Sequence, residues 1–346
     1  MERLPQECRD IVASFLDGND VKNLVLVSKI YHDFFSARNL RQLWFEGLPR
    51  LFSHLFTYFL AMKHSKKFSL IRKISIILQK RGRVGTQLSL YEKLGPLLVN
   101  SISQVTELQE FDLSLEDWPR EQEKNLCQLL MRTRKWDKLK SLRISTSPEI
   151  LCAVLSRCVP EILEVVNIDG HYGKRMYSEL VRLCSSSKTK HSLKKLNISP
   201  NFDGPLLDKE IILEVKTHFK ALKCLSIQGR SDLWDPCWTT VVFSDSLSIV
   251  CDLLNQTSIE ELWLSMPYIP FDRASVLEYL NGPVTDPVES EDVTESELER
   301  AYRKLIADIT SACHRIRKIF ILQQFETRFP LVGFSSPGKV IEVKLC

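Results

Sequence analysis

Cys313 and His314 stand side by side. A thiol next to an imidazole is the pairing from which a nucleophile or a metal ligand can be built. The surrounding sequence supports neither use. The ten cysteines include no C-x-x-C and no Cys/His group with zinc spacing, and the 313–314 pair has no further donor nearby in the chain. Most cysteines sit beside Leu, Val or Ile, as in "LCAVL", "VRLCS" and "IVCDLL". Such positions read as reduced core residues of a cytosolic or nuclear protein. The opening "MERLPQECRD" lacks the apolar core of a secretory signal. No Walker loop, GxGxxG, GxSxG or HExxH occurs, and twelve glycines provide no glycine-rich phosphate cradle. The carboxylates scatter over helix-like faces and loops, where solvation is their usual role. No catalytic site, metal or cofactor is expected, so the chemistry here is that of binding.

Charge narrows the partners. The net charge is +4, but seven acids and no base lie between Asp286 and Glu299, so the rest of the chain carries +11. Eight bases and no acid run from Lys63 to Arg83. Aromatic residues that would stack on bases are almost absent from that run, so it reads as solvated surface and no nucleic-acid partner is expected. The longest apolar stretch, "LFSHLFTYFLAM" from Leu51 to Met62, spans about 18 Å as a helix, short of the roughly 30 Å hydrocarbon core. Its large residues at 51, 52, 55, 56, 59 and 60 form one stripe. It is an amphipathic helix docked on protein, and no membrane partner is expected.

The 346 residues suffice for about two domains. In the opening stretch Cys8, Ile11, Val12, Phe15 and Leu16 share one helical face. Pro5 suits a first turn, Gly18 a helix end, and Asn19 or Asp20 the cap of a second helix. Val21, Leu24, Val25 and Val27 follow, then a third stripe of Ile30, Tyr31, Phe34 and Phe35, with Leu43, Trp44 and Phe45 adding apolar bulk. Three short helices in so few residues cannot bury enough surface to be robust alone. Some of these side chains must face another molecule or the rest of the chain.

The order and spacing of Leu4-Pro5, Glu7, Ile11, Leu16, Asp20-Val21, Leu24 and Val27-Ser28-Lys29 resemble the F-box. The chain departs from it at Tyr31-His32, where many F-boxes carry Trp, and at Val21 in place of Leu. The resemblance covers about the first 45 residues. It implies docking to a Skp-family adaptor of a cullin–RING ubiquitin ligase through Leu4, Pro5, Ile11, Leu24 and Val27. The rest of the chain would then capture a protein substrate.

That remainder carries an L-x-x-L-x-I/L element again and again. Copies stand at 108, 139, 163, 193, 222, 259 and 316, for example "LKSLRI", "LKKLNI" and "IEELWL", with weaker ones at 71 and 340. The last two apolar residues alternate with polar ones, as a strand with one buried face requires. Helical patterns such as "KNLCQLLMR" and "DSLSIVCDLLNQ" lie between copies. One strand and one helix per repeat resembles leucine-rich repeats, here degenerate because the asparagine that usually closes the turn is largely missing. The expected fold is α/β: an N-terminal three-helix F-box over 1–45, a linker helix over 46–66, and a leucine-rich-repeat-like solenoid over 67–346. An acidic loop is expected at 281–293. "TESE" at 294–297 reads as a capping box that opens a helix buried along Leu298, Ala301, Tyr302, Leu305, Ile309 and Ala312.

In such a strand the residues before, between and after the last two apolar positions point away from the helices. This places Arg143 and Lys195 on the outward face, with Trp263 and Phe320 as large aromatics where a strand face should meet water. Exposed aromatics and bases are the usual anchors of binding energy. The four are expected to hold an acidic or phosphorylated substrate segment, the alternative being that the acidic insert or the C-terminal tail folds over Trp263 and Phe320. The expected function is therefore a non-enzymatic substrate adaptor of the cytoplasm or nucleus. The alternative is a repeat scaffold with no ligase link.

Overall fold

The structure is a computed structural model. It describes residues 41–61, 66–79, 88–115, 118–159, 161–169, 192–199, 209–228, 247–266, 273–282, 293–323, 331–334 and 342–345, with scattered positions before residue 30. The chain is α/β and divides into two compact units, Met1–Leu142 with Glu149–Val159, and Arg143–Pro148 with Pro160–Cys346. No helix among the described residues is long and apolar enough to cross a membrane.

The first unit opens on strand β1 (Gln42–Gly47), helix α1 (Pro49–Ala61), a 3-10 turn (Lys66–Leu70) and β2 (Lys73–Leu78). It continues through α2 (Leu88–Gln104), β3 (Glu110–Ser114) and α3 (Arg120–Arg132) to the start of β4 (Ser141–Ser145), and includes most of α4 (Pro148–Leu155). Strands β1, β2 and β3 pair in parallel, in chain order. Parallel neighbours joined by crossovers of one hand place the intervening helices on one face of the sheet, and α1 packs on α2 and α2 on α3.

Strand β1 differs from the expected boundary at residue 45. Leu43, Trp44 and Phe45 belong to a strand aligned with β2, Leu43 opposite Ile74 and Phe45 opposite Ile76, and not to the bulk of a helical module. The reason lies in "LRQLWF" at 40–45, which fits the strand template with Phe in its last place. Nor is α1 a free linker. Its Phe52, Phe56 and Phe59 are buried, with Phe45 tilted against Phe56 at 5.0 Å and Phe59 edge-on to Phe68 at 4.7 Å. The buried stripe is narrower than the six expected residues, for Leu51 stays 48% exposed. Gly47 makes the strand-to-helix turn with φ +147, and a Cβ there would stand 2.8 Å from Leu51 Cδ2. A residue with a side chain would meet both that contact and an unfavourable φ.

The second unit contains β5 (Val165–Asp169), β6 (Lys195–Ser199), α5 (Lys209–His218), β7 (Cys224–Gln228), α6 (Leu247–Asn255) and β8 (Glu261–Met266). Two helices follow, α7 (Arg273–Asn281) and α8 (Glu295–Ala312), and then β9 (Lys318–Gln323). Strands β5 to β9 are parallel and in chain order. Helix α7 occupies part of the long gap between template copies. The last two strands, β10 (Leu331–Phe334) and β11 (Glu342–Leu345), run antiparallel instead. The weak template copy at 340 is thus a strand, but not a further parallel repeat. The connections 324–330 and 335–341 are too short for a crossover helix, and a hairpin is what such lengths permit.

All nine template copies fall on strands, and each of their described template residues is buried, from Ile71, Ile74 and Ile76 to Ile316 and Ile319. Burying each such side chain contributes about 2 kcal/mol. A backbone device accompanies them. The carbonyl of Arg41 accepts from the successive N–H groups of Arg72 and Lys73 at 2.8 and 2.9 Å, and that of Arg72 from Gln109 and Glu110 at 2.7 and 2.9 Å. In the second unit Glu164, Lys194, Lys223 and Glu260 accept in the same way, from the pairs 194–195, 223–224, 260–261 and 317–318. The residue entering each strand is therefore fixed to the next strand by one shared carbonyl.

The capping box is present. Thr294 Oγ1 accepts from the N–H of Glu297 at 3.3 Å, and Glu297 Oε2 accepts from the N–H of Thr294 at 2.9 Å. Leu298, Ala301, Tyr302, Leu305 and Ile309 are buried as expected, Ile306 joins them, and Ala312 is half-buried. Of the acidic loop, residues 283–292 lie outside the described residues; Asn281 ends α7, and Gly282 follows it with φ +91.

Candidate protein-binding face

Parallel register converts the outward positions of successive strands into rows. In the second unit Lys195, Cys224, Glu261 and Lys318 align in one row, and Asn197, Ser226, Trp263 and Phe320 in the next. Neighbouring strands stand roughly 4.8 Å apart, so two flat rings at one register meet face to face. Trp263 and Phe320 do so, with ring centroids 3.7 Å apart and planes 15° from parallel. Lys195 reaches towards the same indole, its Nζ 5.6 Å from the ring centroid. The intervening strand β7 presents only Cys224 and Ser226, both small and buried, and so leaves room for the lysine stem.

The bases of this face are not equivalent. Lys318 donates to Glu261 Oε1 at 2.8 Å, and that partner pulls its pKa up. Arg143 Nη2 lies 3.9 Å from Asp169 Oδ2. Lys195 has no carboxylate partner among the described residues; its recorded contact is the Trp263 ring. Burial pushes the Cys224 thiol up, against Lys195 and Lys318, which favour the thiolate. The indole N–H of Trp263 is turned to the Cys224 sulfur, whereas the buried Oδ1 of Asn197 has no donor from the protein. An unmet buried polar atom costs about 1–3 kcal/mol, so Asn197 offers an acceptor to whatever lies on this face. The structure brings three of the four expected substrate residues, Lys195, Trp263 and Phe320, into one cluster, whereas Arg143 is engaged with Asp169.

Of the expected adaptor-binding residues, Leu4, Pro5, Ile11 and Leu24 lie outside the described residues. Val27 is helical and 66% exposed, beside Leu26 at 84%. One aromatic escaped the sequence reading of the outward face. Trp44 stands at the middle outward position of β1, 63% exposed, its Nε1 donating to Glu46 Oε2 at 2.8 Å. The alternation of "QLWFEG" was the available signal.

The pair that opened the sequence reading is split by the fold. Cys313 is buried against α6, donating to the carbonyl of Cys251 at 3.7 Å, and the Cys251 contact and burial push its thiol up. His314 is exposed, and its N–H donates to Asn255 Oδ1 at 3.1 Å. From the basic run, Arg72 and Lys73 form surface ion pairs with Glu107 and Glu110 at 3.9 and 3.1 Å. Among the described residues no group of His, Cys, Asp or Glu is gathered to hold a metal ion. No family model matches the chain, and no curated protein matches its sequence.

Proposed function

We propose that the chain is a substrate-recognition adaptor of a cullin–RING ubiquitin ligase. Residues 1–45, which resemble an F-box, dock a Skp-family adaptor through Leu4, Pro5, Ile11, Leu24 and Val27. The strand–helix units form a leucine-rich-repeat-like solenoid whose outward face captures a protein. The observation that carries the capture is the Trp263–Phe320 stack with Lys195 beside it, on the outward positions of consecutive strands. Both rings are half-buried, and large aromatics on an outward face are the anchors around which interfaces concentrate their energy. Support for the repeat architecture is the recurrence of one buried template and one shared-carbonyl junction along the chain. Catalysis would belong to other subunits of the ligase, acting in the cytoplasm or nucleus.

The test is association of the intact chain with purified Skp-family adaptor at micromolar concentration. Replacing Leu4 and Pro5 by Ala should weaken it without changing the melting of the repeats. Absence of any association sinks the ligase reading. A second reading is a repeat scaffold without a ligase link, its N-terminal segment packed on its own chain. It is favoured by the exposed Leu48, Leu51 and Tyr58, which offer apolar surface for such packing. Under that reading, the Leu4 and Pro5 substitutions lower the melting temperature and no adaptor binds.

A further inference from the structure

We infer that the outward face of the second unit receives a peptide carboxylate at Lys195, next to a flat apolar side chain of the same peptide laid along the edge of the Trp263–Phe320 pair. The inference rests on the reading that this face captures protein, and it narrows the class of segment taken. Of the bases Arg143, Lys195 and Lys318, the first faces Asp169 and the last is bonded to Glu261. Lys195 alone of these three is left with a positive charge and no carboxylate opposite it among the described residues.

One spare positive charge matches one negative charge. A phosphate group, near −2 at neutral pH, would also face the carboxylates of Glu261 and Asp169, which share this sheet face. Phosphate recognition moreover favours the forked guanidinium of arginine, and the arginine of this face is already committed to Asp169. A carboxylate is therefore the better-matched anion.

The row beside Lys195 says that the carboxylate belongs to a peptide. Asn197 presents an acceptor without a partner. A peptide backbone carries an N–H donor at every residue and can supply the one that Asn197 lacks after a small rotation of that amide. An isolated carboxylate has no donor to offer it. The indole, held between Phe320 and the Lys195 ammonium, is fixed in place before binding, so little ordering cost falls on the complex.

The experiment selects random short peptides displayed on phage against the full chain, then measures selected peptides by fluorescence polarisation. The expected peptides carry Asp or Glu within a few residues of an aromatic. Trp263→Ala should weaken them about thirtyfold. Lys195→Gln and the peptide Asp→Asn change should each weaken binding about tenfold, and together no further, because they remove the same contact. Phosphoserine in place of Asp should bind more weakly. Should Trp263→Ala not fold, the Lys195→Gln comparison still decides, since that side chain is exposed. Selected peptides without an acid, a preference for phosphoserine, unchanged binding by Lys195→Gln, or no enriched peptide at all would each overturn the inference. Adaptor association measured on the same preparations separates the two failures. Adaptor binding kept with no peptide selected removes this inference alone, whereas peptides bound with no adaptor association remove the ligase reading alone.

Discussion

Truncating the two stacked rings, singly and together, tests whether the face exists in solution as described. Phe320→Ala removes the face-to-face contact with Trp263, which lies at a centroid separation of 3.7 Å. Trp263→Ala removes that contact and also the ring beneath Lys195. An aromatic pair contributes about 0.5–1.5 kcal/mol beyond its area burial, and an exposed cation over a ring about 0.5–1 kcal/mol. The double-mutant cycle between the rings should therefore give a coupling near 1 kcal/mol, and that between Lys195 and Trp263 near 0.5 kcal/mol. A chain with two compact units is not assured of unfolding in one step, so the reading must be local. Hydrogen exchange of the β8 and β9 amides, followed peptide by peptide, supplies it. Added salt should shrink the lysine coupling and leave the ring coupling unchanged. A ring coupling indistinguishable from zero would refute the stack, and with it the argument that these strands present a preformed anchor.

Other parts of the fold make equally direct demands. Thr294→Ala removes the acceptor for the Glu297 N–H and should cost about 1 kcal/mol, read as reduced protection of the first turn of α8. The Glu297 carboxyl is pulled down to about 2 by the N–H of Thr294 and by Arg273. Its folded pKa is below the unfolded one, so the stability it contributes is complete above about pH 4.5 and is lost as pH falls towards 2. Glu297→Gln should flatten that part of the urea-midpoint profile; an unchanged profile would contradict the assignment. Gly47→Ala should destabilise the β1–α1 junction by more than the ordinary Gly-to-Ala difference of about 1 kcal/mol. Adding Leu51→Ala should recover the steric part but not the part due to φ +147. Deleting Val284 to Val293 should move the melting temperature little, because that composition supplies almost no apolar area and long surface loops add little closure cost. A large drop would show that the segment is packed.

The strands were legible because each copy of the template states its burial three times. Leu193, Leu196 and Ile198 are all buried, as are Leu222, Leu225 and Ile227, and no helical period would place three apolar residues at those offsets in every copy. The copy at 40–45 was hidden for a chemical reason. Its last apolar position is Phe rather than Ile or Leu, and Trp44 between the two apolar residues makes "LWF" a continuous apolar run, which cannot be assigned by period. The closing hairpin was hidden for a different one. "VIEVKL" carries the side-chain pattern of a repeat, and alternation is the same in parallel and antiparallel strands. Direction is decided by the length of the connection, which a template match does not weigh.

The face itself was legible in its members but not in its pairing. That Arg143 and Trp263 point outward follows from their place between buried neighbours, and Lys195 and Phe320 each stand next to one, Leu196 and Ile319. Which of them stand together follows from register, a relation between copies and not a property of any one copy. The direct alignment of Trp263 with Phe320 turns two solitary aromatics into one stack. Arg143 stands at the middle outward position of β4 and Asp169 at the last outward position of β5, and this diagonal brings the arginine to an acid. Four candidates equal in the sequence thus become unequal in the structure. One cation is neutralised in place and another is left over a ring, which is the asymmetry a binding face needs to choose among charged partners.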